Sequence, residues 1–144
     1  LGNGTHRFLL DPRVTGELTV TVQVSDGSGH SVQRQCTVTS RYPKFSAMIR
    51  TMSSATLYSD SPMTLIIRST EYAGDYTVSY TTTSTNCRVS YGGSMLHPDS
   101  PVTLEIGQHI FTANSSYAER TEFVFTITDI YGRSQQARAS ITWR

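Results

Sequence analysis

Hydrophobic positions along this chain alternate with polar ones in short runs, and the clearest runs close it. Within residues 121–143, Phe123, Phe125 and Ile127 alternate with polar or smaller neighbours, and Ala137, Ala139, Ile141 and Trp143 do the same on the way back. A period of two marks half-buried β-strands. Between the runs lies Asp129-Ile130-Tyr131-Gly132. Gly132 takes positive φ at little cost, and the Asp129 carboxylate can accept hydrogen bonds from turn amides. The pattern predicts a β-hairpin.

The same hairpin occurs earlier. Residues 18–39 align with it without a gap at an offset of 103. Val20, Val22 and Val24 fall on Phe123, Phe125 and Ile127; Asp26 falls on Asp129, Gly29 on Gly132 and Val38 on Ile141. Further back, His6 and Phe8 fall on His109 and Phe111. Over residues 4–39, eight of 36 positions are identical, against roughly two or three expected by chance, and such self-similarity marks an array of like modules. One module then spans about a hundred residues. Residues 1–40 correspond only to the closing third of a module, and residues 41–144 to a complete one.

Other alternating runs predict strands over 4–10 (closed by Asp11-Pro12), 32–40, 45–49, 63–68, 76–80, 87–91, 102–106 and 109–113. Residues 53–61 read as a turn-rich crossing, 71–75 as a turn through Gly74, Gly92-Gly93 as a stop and 96–101 as a proline-bounded loop. Residues 81–85 could extend a strand or loop out. Arg41-Tyr42-Pro43 is a short joint, since proline breaks pairing and biases Tyr42 toward extended geometry. Seven to nine short strands in about a hundred residues indicate an all-β immunoglobulin-like sandwich, here in tandem with an incomplete first copy. Phe123, Phe125, Ile127 and Trp143 are expected in its core.

Composition narrows the function classes. The chain has 144 residues, 37% hydrophobic and 16% charged, with a formal net charge of +1. That charge is low for a nucleic-acid binder. Abundant Ser and Thr suit exposed strand faces. No apolar run is long enough to span a bilayer, and no charged-then-apolar leader opens the sequence, although a chain that starts inside a module says little about a leader. Cys36 matches the inward Ala139, and Cys87 shares a face with Val89 and Tyr91. A bridge would join the two copies; two buried free thiols are the favoured reading.

Two resemblances rest on these residues. The run LTVTVQVSDGSG looks like the closing strands of PKD and related bacterial surface immunoglobulin-like repeats. Over residues 74–141, Asp75-Tyr76 with Tyr80, then Leu96-x-Pro98-Asp99, Val102-x-Leu104, Phe111, Ser115-Ser116 and Phe123-x-Phe125-x-Ile127-x-Asp129-Ile130-Tyr131-Gly132-Arg133 resemble the TraQ family of conjugative-transposon proteins. In that family a glycine-tyrosine strand, an L-x-P-N-D-like loop and a D-N-F-G-Q-like turn recur in this order. The resemblance implies a small exported envelope lipoprotein with an immunoglobulin-like fold, a non-enzymatic accessory part of a DNA-transfer apparatus.

The residues offer little chemistry. No two histidines share zinc-ligand spacing with Cys, Asp or Glu, no Gly-x-Ser-x-Gly elbow occurs, and no glycine-rich loop enters a helix. Asp26 and Asp129 lack the acidic neighbours that calcium requires, so Asp26, Gly29, Asp129 and Gly132 are structural turn residues. No metal and no cofactor is expected. For binding, the tyrosines stand out. Tyr76, Tyr80 and Tyr91 read first as core-edge residues, whereas Tyr131 sits at a hairpin tip where the earlier copy has Ser28. Tyr131 and Arg133 are therefore the candidate contact surface for another protein subunit or a neighbouring repeat. Unpaired strand edges in residues 1–40 make strand-mediated self-association a second expectation. An adhesin or stalk repeat is an alternative role. So is a carbohydrate-binding accessory module, which needs several exposed aromatics.

Overall fold

The computed structural model describes residues 1–10, 14–71 and 74–144; the expected Asp11-Pro12 closure, and Tyr72 and Ala73 of the expected 71–75 turn, lie outside them. The chain forms two compact units, Leu1–Tyr42 and Pro43–Arg144. Every regular element among the described residues is a strand.

The first unit holds β1 (Gly16–Ser25) and β2 (Ser31–Ser40), one antiparallel pair. Leu18, Val20, Val22 and Val24 share a face and pair with Val38, Cys36, Arg34 and Val32. The opposite face is Thr, Gln, Ser and Glu. Residues 1–10 form no strand, contrary to expectation. The equivalent residues after Gly107 are a strand because partners hydrogen-bond them on both sides, and the described residues of the first unit include no such partner.

The second unit is an immunoglobulin-like β-sandwich. One sheet runs β3 (Phe45–Thr51), β5 (Ser61–Ser69), β10 (Gly107–Ser115), β7 (Cys87–Tyr91) and β8 (Ser94–Leu96). The other runs β4 (Ser54–Ala55), β12 (Ser134–Trp143), β11 (Arg120–Thr128), β6 (Tyr76–Thr82) and β9 (Val102–Leu104). All pairs are antiparallel except β12 with β4. Three of the four edge strands have only two or three residues, which limits the unpaired backbone offered to other chains. Strands β4 and β8 were not legible in the sequence, being too short to show a period. β8 exists because Gly92 and Gly93, at φ +59° and +81°, make the two-residue hairpin turn that needs positive φ at both positions.

The inward positions form the core. Met63, Leu65 and Ile67 of β5, Phe111 and Ala113 of β10, and Phe123, Phe125 and Ile127 of β11 are buried, as is Trp143. Each large apolar side chain so buried contributes about 1.5–3 kcal/mol. Aromatic rings link the sheets: Tyr91 to Phe111 at 4.8 Å between centroids, Phe111 to Phe125 at 4.9 Å, and Phe125 to Tyr80 at 5.9 Å. Two of the polar side chains carried inward find partners there, whereas the buried Ser61 Oγ has none among the described residues. The Trp143 Nε1–H donates to Thr121 Oγ1 (3.1 Å), and the Tyr80 hydroxyl donates to the Leu96 carbonyl (3.1 Å). Burial raises the Tyr80 phenol above its ordinary pKa and pushes the Cys87 thiol up to about 11.

The cysteines correct one expectation. Both are free, and Cys87 is buried, but Cys36 is exposed. Its inward-type position means burial only where a second sheet faces the hairpin, as one does for Ala137 and Ile141 on the equivalent face of β12.

Phe125 touches both Phe111 and Tyr80, so Phe125→Ala is expected to cost about 3–5 kcal/mol. Urea denaturation followed by Trp143 fluorescence reads this directly.

Candidate functional site

The β11–β12 turn is the site the sequence points to, and its geometry follows from Asp129 and Gly132. The Asp129 N–H donates to the Arg133 carbonyl (3.0 Å), and the Gly132 N–H donates to the Asp129 carbonyl (3.0 Å). Gly132 sits at φ +80°, where a side chain would be strained. The Asp129 Oδ1 accepts from the N–H groups of Tyr131 (3.0 Å) and Arg133 (2.9 Å). Its Oδ2 accepts from Arg133 Nε (2.8 Å) and Nη2 (2.5 Å). The Asp129 side chain is only 2% exposed and that of Arg133 35%.

Arg133 also reaches back to the start of the module. Its Nη2 donates to the Pro43 carbonyl, and its Cζ lies 6.0 Å from the Phe45 ring centroid and 5.9 Å from that of Tyr131. The guanidinium therefore ties the tip of one hairpin to the entry of β3. Tyr131 projects beyond it, 45% exposed, with Ile130 exposed beside it. The structure thus places Tyr131 outward and Arg133 mostly in the service of the turn.

The β1–β2 turn repeats this construction. The Asp26 N–H donates to the His30 carbonyl (3.0 Å), the Gly29 N–H to the Asp26 carbonyl (3.4 Å), and Gly29 has φ +87°. Asp26 Oδ1 accepts from the N–H groups of Ser28 and His30 (2.9 Å each). His30 Nδ1 lies 3.0 Å from Asp26 Oδ2, where Arg133 sits in the other copy. The register also matches: Val20 pairs with Cys36 as Phe123 pairs with Ala139. The repeat extends to the histidines, since His6 and His109 each place Nε2 on the carbonyl four residues earlier, at 2.7 and 2.8 Å.

Other tyrosines separate by burial. Tyr76 and Tyr80 are core residues, and the Tyr91 hydroxyl lies 3.0 Å from His109 Nδ1. Among the described residues no group of three or more His, Cys, Asp and Glu converges as a metal site would require. No helix among them is long and apolar enough to cross a membrane. At the module's opposite end, Tyr58 adopts φ +59° with its ring exposed. Nothing in its flanking residues signalled that.

The two turns differ in how much rests on the cation. Arg133→Ala leaves a buried carboxylate short of its guanidinium and is expected to destabilise the second unit by about 3–5 kcal/mol. His30→Ala, at an exposed pair, is expected to leave stability unchanged in the same denaturation experiment. Donation from the His30 N–H, then from its ring and from the Ser28 N–H, holds the Asp26 carboxyl below its ordinary 3.8. A depressed folded pKa stabilises the turn above the unfolded value and loses that effect as pH falls through the folded one. Amide exchange at Ser28 and His30 should therefore lose protection only below pH 3.8.

Comparison with known proteins gives a fold likeness. No family's sequence profile matches the chain, and no curated protein matches it. A conjugative transposon lipoprotein from Bacteroides eggerthii is similar in structure, at 12% identity and a TM-score of 0.57, over 66% of this chain and 95% of that one. A lipoprotein from Bacteroides thetaiotaomicron is similar at 15% identity and a TM-score of 0.60, over 73% of this chain and 83% of that one. At such identities the likeness is one of architecture, the immunoglobulin-like sandwich.

Proposed function

We propose that this chain is a non-enzymatic structural and binding module of the bacterial cell envelope, exported, and an accessory component of a conjugative DNA-transfer apparatus. The observation that carries this reading is the fold likeness to a conjugative transposon lipoprotein across 95% of that protein's length. The Asp129–Arg133 turn, in which the sequence resembles the TraQ pattern, supports it. In this reading the first unit is the closing part of one repeat and the second a complete repeat. The repeated hairpin, with its register kept, also favours an adhesin or stalk as the second reading.

The contact surface is centred on Tyr131, held out by the Asp129–Arg133 clamp. Tyr131→Ser restores the residue that the β1–β2 turn carries and leaves the clamp intact. It is expected to keep the melting temperature and weaken partner association by about 2 kcal/mol or more, as loss of an interface hot spot does. The transfer frequency of a strain carrying this substitution measures it. Normal transfer in a strain lacking the whole chain would remove the apparatus from the reading and leave the stalk.

Strand-mediated self-association belongs to the same reading, because β1 and β2 pair only with each other among the described residues and each leaves one edge open. Light scattering is expected to find a dimer, with amides of β1–β2 protected from exchange in the dimer. A monomer at all concentrations would exclude it.

A further inference from the structure

The end of the second unit opposite the Asp129–Arg133 turn is built differently. There Tyr58 holds φ +59°, a left-handed conformation that is strained for an L-residue and that glycine or asparagine would adopt more easily. The strain is held by the Tyr58 N–H donating to the Ser115 carbonyl (2.9 Å) and by a turn in which the Ser59 N–H donates to the Thr56 carbonyl (3.3 Å). Its result is an aromatic ring 74% exposed to solvent. The fully buried Ser115 also anchors a second exposed ring: its Oγ accepts from the Tyr117 N–H (3.2 Å) and lies 3.2 Å from the Tyr117 carbonyl. Tyr117 is 63% exposed.

Beside Tyr58 lies a cavity of about 240 Å³ lined by Asn86, Arg88, Asn114 and Ser116. Pockets for drug-sized ligands run about 300–1,000 Å³, so this one has room for a single ring. A second cavity of about 280 Å³ shares Arg88 and Asn114 and is lined further by Thr112, Met95 and the acidic Asp60. The carboxylate in the second confines an anionic group to the first.

The polar groups of the first cavity are preset. Asn114 Nδ2 donates to Asp60 Oδ1 (2.9 Å); a carboxylate only accepts, so the Asn114 carbonyl oxygen is the group left to receive a ligand hydroxyl. The Asn86 N–H is held by Ser84 Oγ (3.1 Å), and the buried Ser84 hydroxyl bonds in turn to Glu119. Arg88 is exposed, and its guanidinium pairs with no carboxylate among the described residues. The first cavity thus has one cation and no acid in its lining.

We propose that the first cavity binds an acidic saccharide through one carboxylate-bearing pyranose ring. The C–H face of a pyranose packs on the electron-rich face of Tyr58. Its carboxylate meets the planar fork of Arg88, which matches it bidentately. Hydroxyls meet Asn86 and Asn114. This is a ligand site at the far end of the module from Tyr131, and it does not rest on the transfer-apparatus reading.

The test titrates the full chain with a galacturonate oligomer, a neutral glucose oligomer of equal length, and inorganic phosphate, followed by amide NMR. The galacturonate oligomer is expected to bind saturably, shifting Asn86, Arg88, Asn114 and Ser116. Arg88→Gln and Tyr58→Asn should each weaken it about tenfold or more. Tyr58→Asn relieves the backbone and keeps the fold, so loss of binding there reports the ring and not unfolding. The proposal is overturned by absence of saturable binding, by equal binding of the neutral oligomer, or by phosphate shifting the same amides as strongly. Unchanged affinity in both variants would also overturn it.

Discussion

The edge-on contact of Phe111 with Phe125, 4.9 Å between ring centroids, is the constraint on which the second unit depends. It is the point where the two sheets touch through their central strands, β10 and β11. Tyr91 and Tyr80 extend it on either side into one aromatic row across the sandwich. Aromatic pairs of this kind add about 0.5–1.5 kcal/mol beyond the area they bury. With the sheet spacing held there, the loops at both ends are presented by a close-packed body, and small side chains such as Ser115 can place exposed groups accurately.

The two hairpins of the chain separate what local chemistry does from what packing does. Turn geometry and register are the same in both, because an aspartate, a glycine three residues on and alternating strands are enough to specify them. Burial is not the same. Ile127 has the β5–β10–β7 sheet facing it and is fully buried, whereas the equivalent Val24 is exposed. The cation at the turn follows suit: His30 closes an exposed turn, and Arg133 closes one that is packed against Phe45 and Pro43.

The second unit also divides its polar chemistry between its ends. At the Asp129 end the charges satisfy one another, which makes that end a rigid platform for Tyr131. At the Ser115 end the backbone is strained, two tyrosines are exposed, and the Arg88 guanidinium lacks a carboxylate partner among the described residues. Strain retained at an exposed aromatic is energetically costly to the fold, and such positions concentrate where ligands bind.

Much of this architecture is written in the local sequence. Alternation marks the longer strands, their inward residues and the buried Trp143, and Asp129 with Gly132 marks the turn, because a strand's period and a turn's φ requirement act within a few residues. Tertiary structure decided the rest. Residues 4–8 stay unpaired and Cys36 stays exposed because their state depends on partners distant in sequence. Arg133 turns inward because Pro43, ninety positions earlier, offers a carbonyl. Tyr58 becomes strained and exposed because Ser115 binds its N–H, and Asn86, Arg88 and Asn114 share a cavity only once β7 pairs with β10. Periodicity fixes which face of a strand is apolar; only the pairing of distant strands fixes what that face, or a loop beside it, meets.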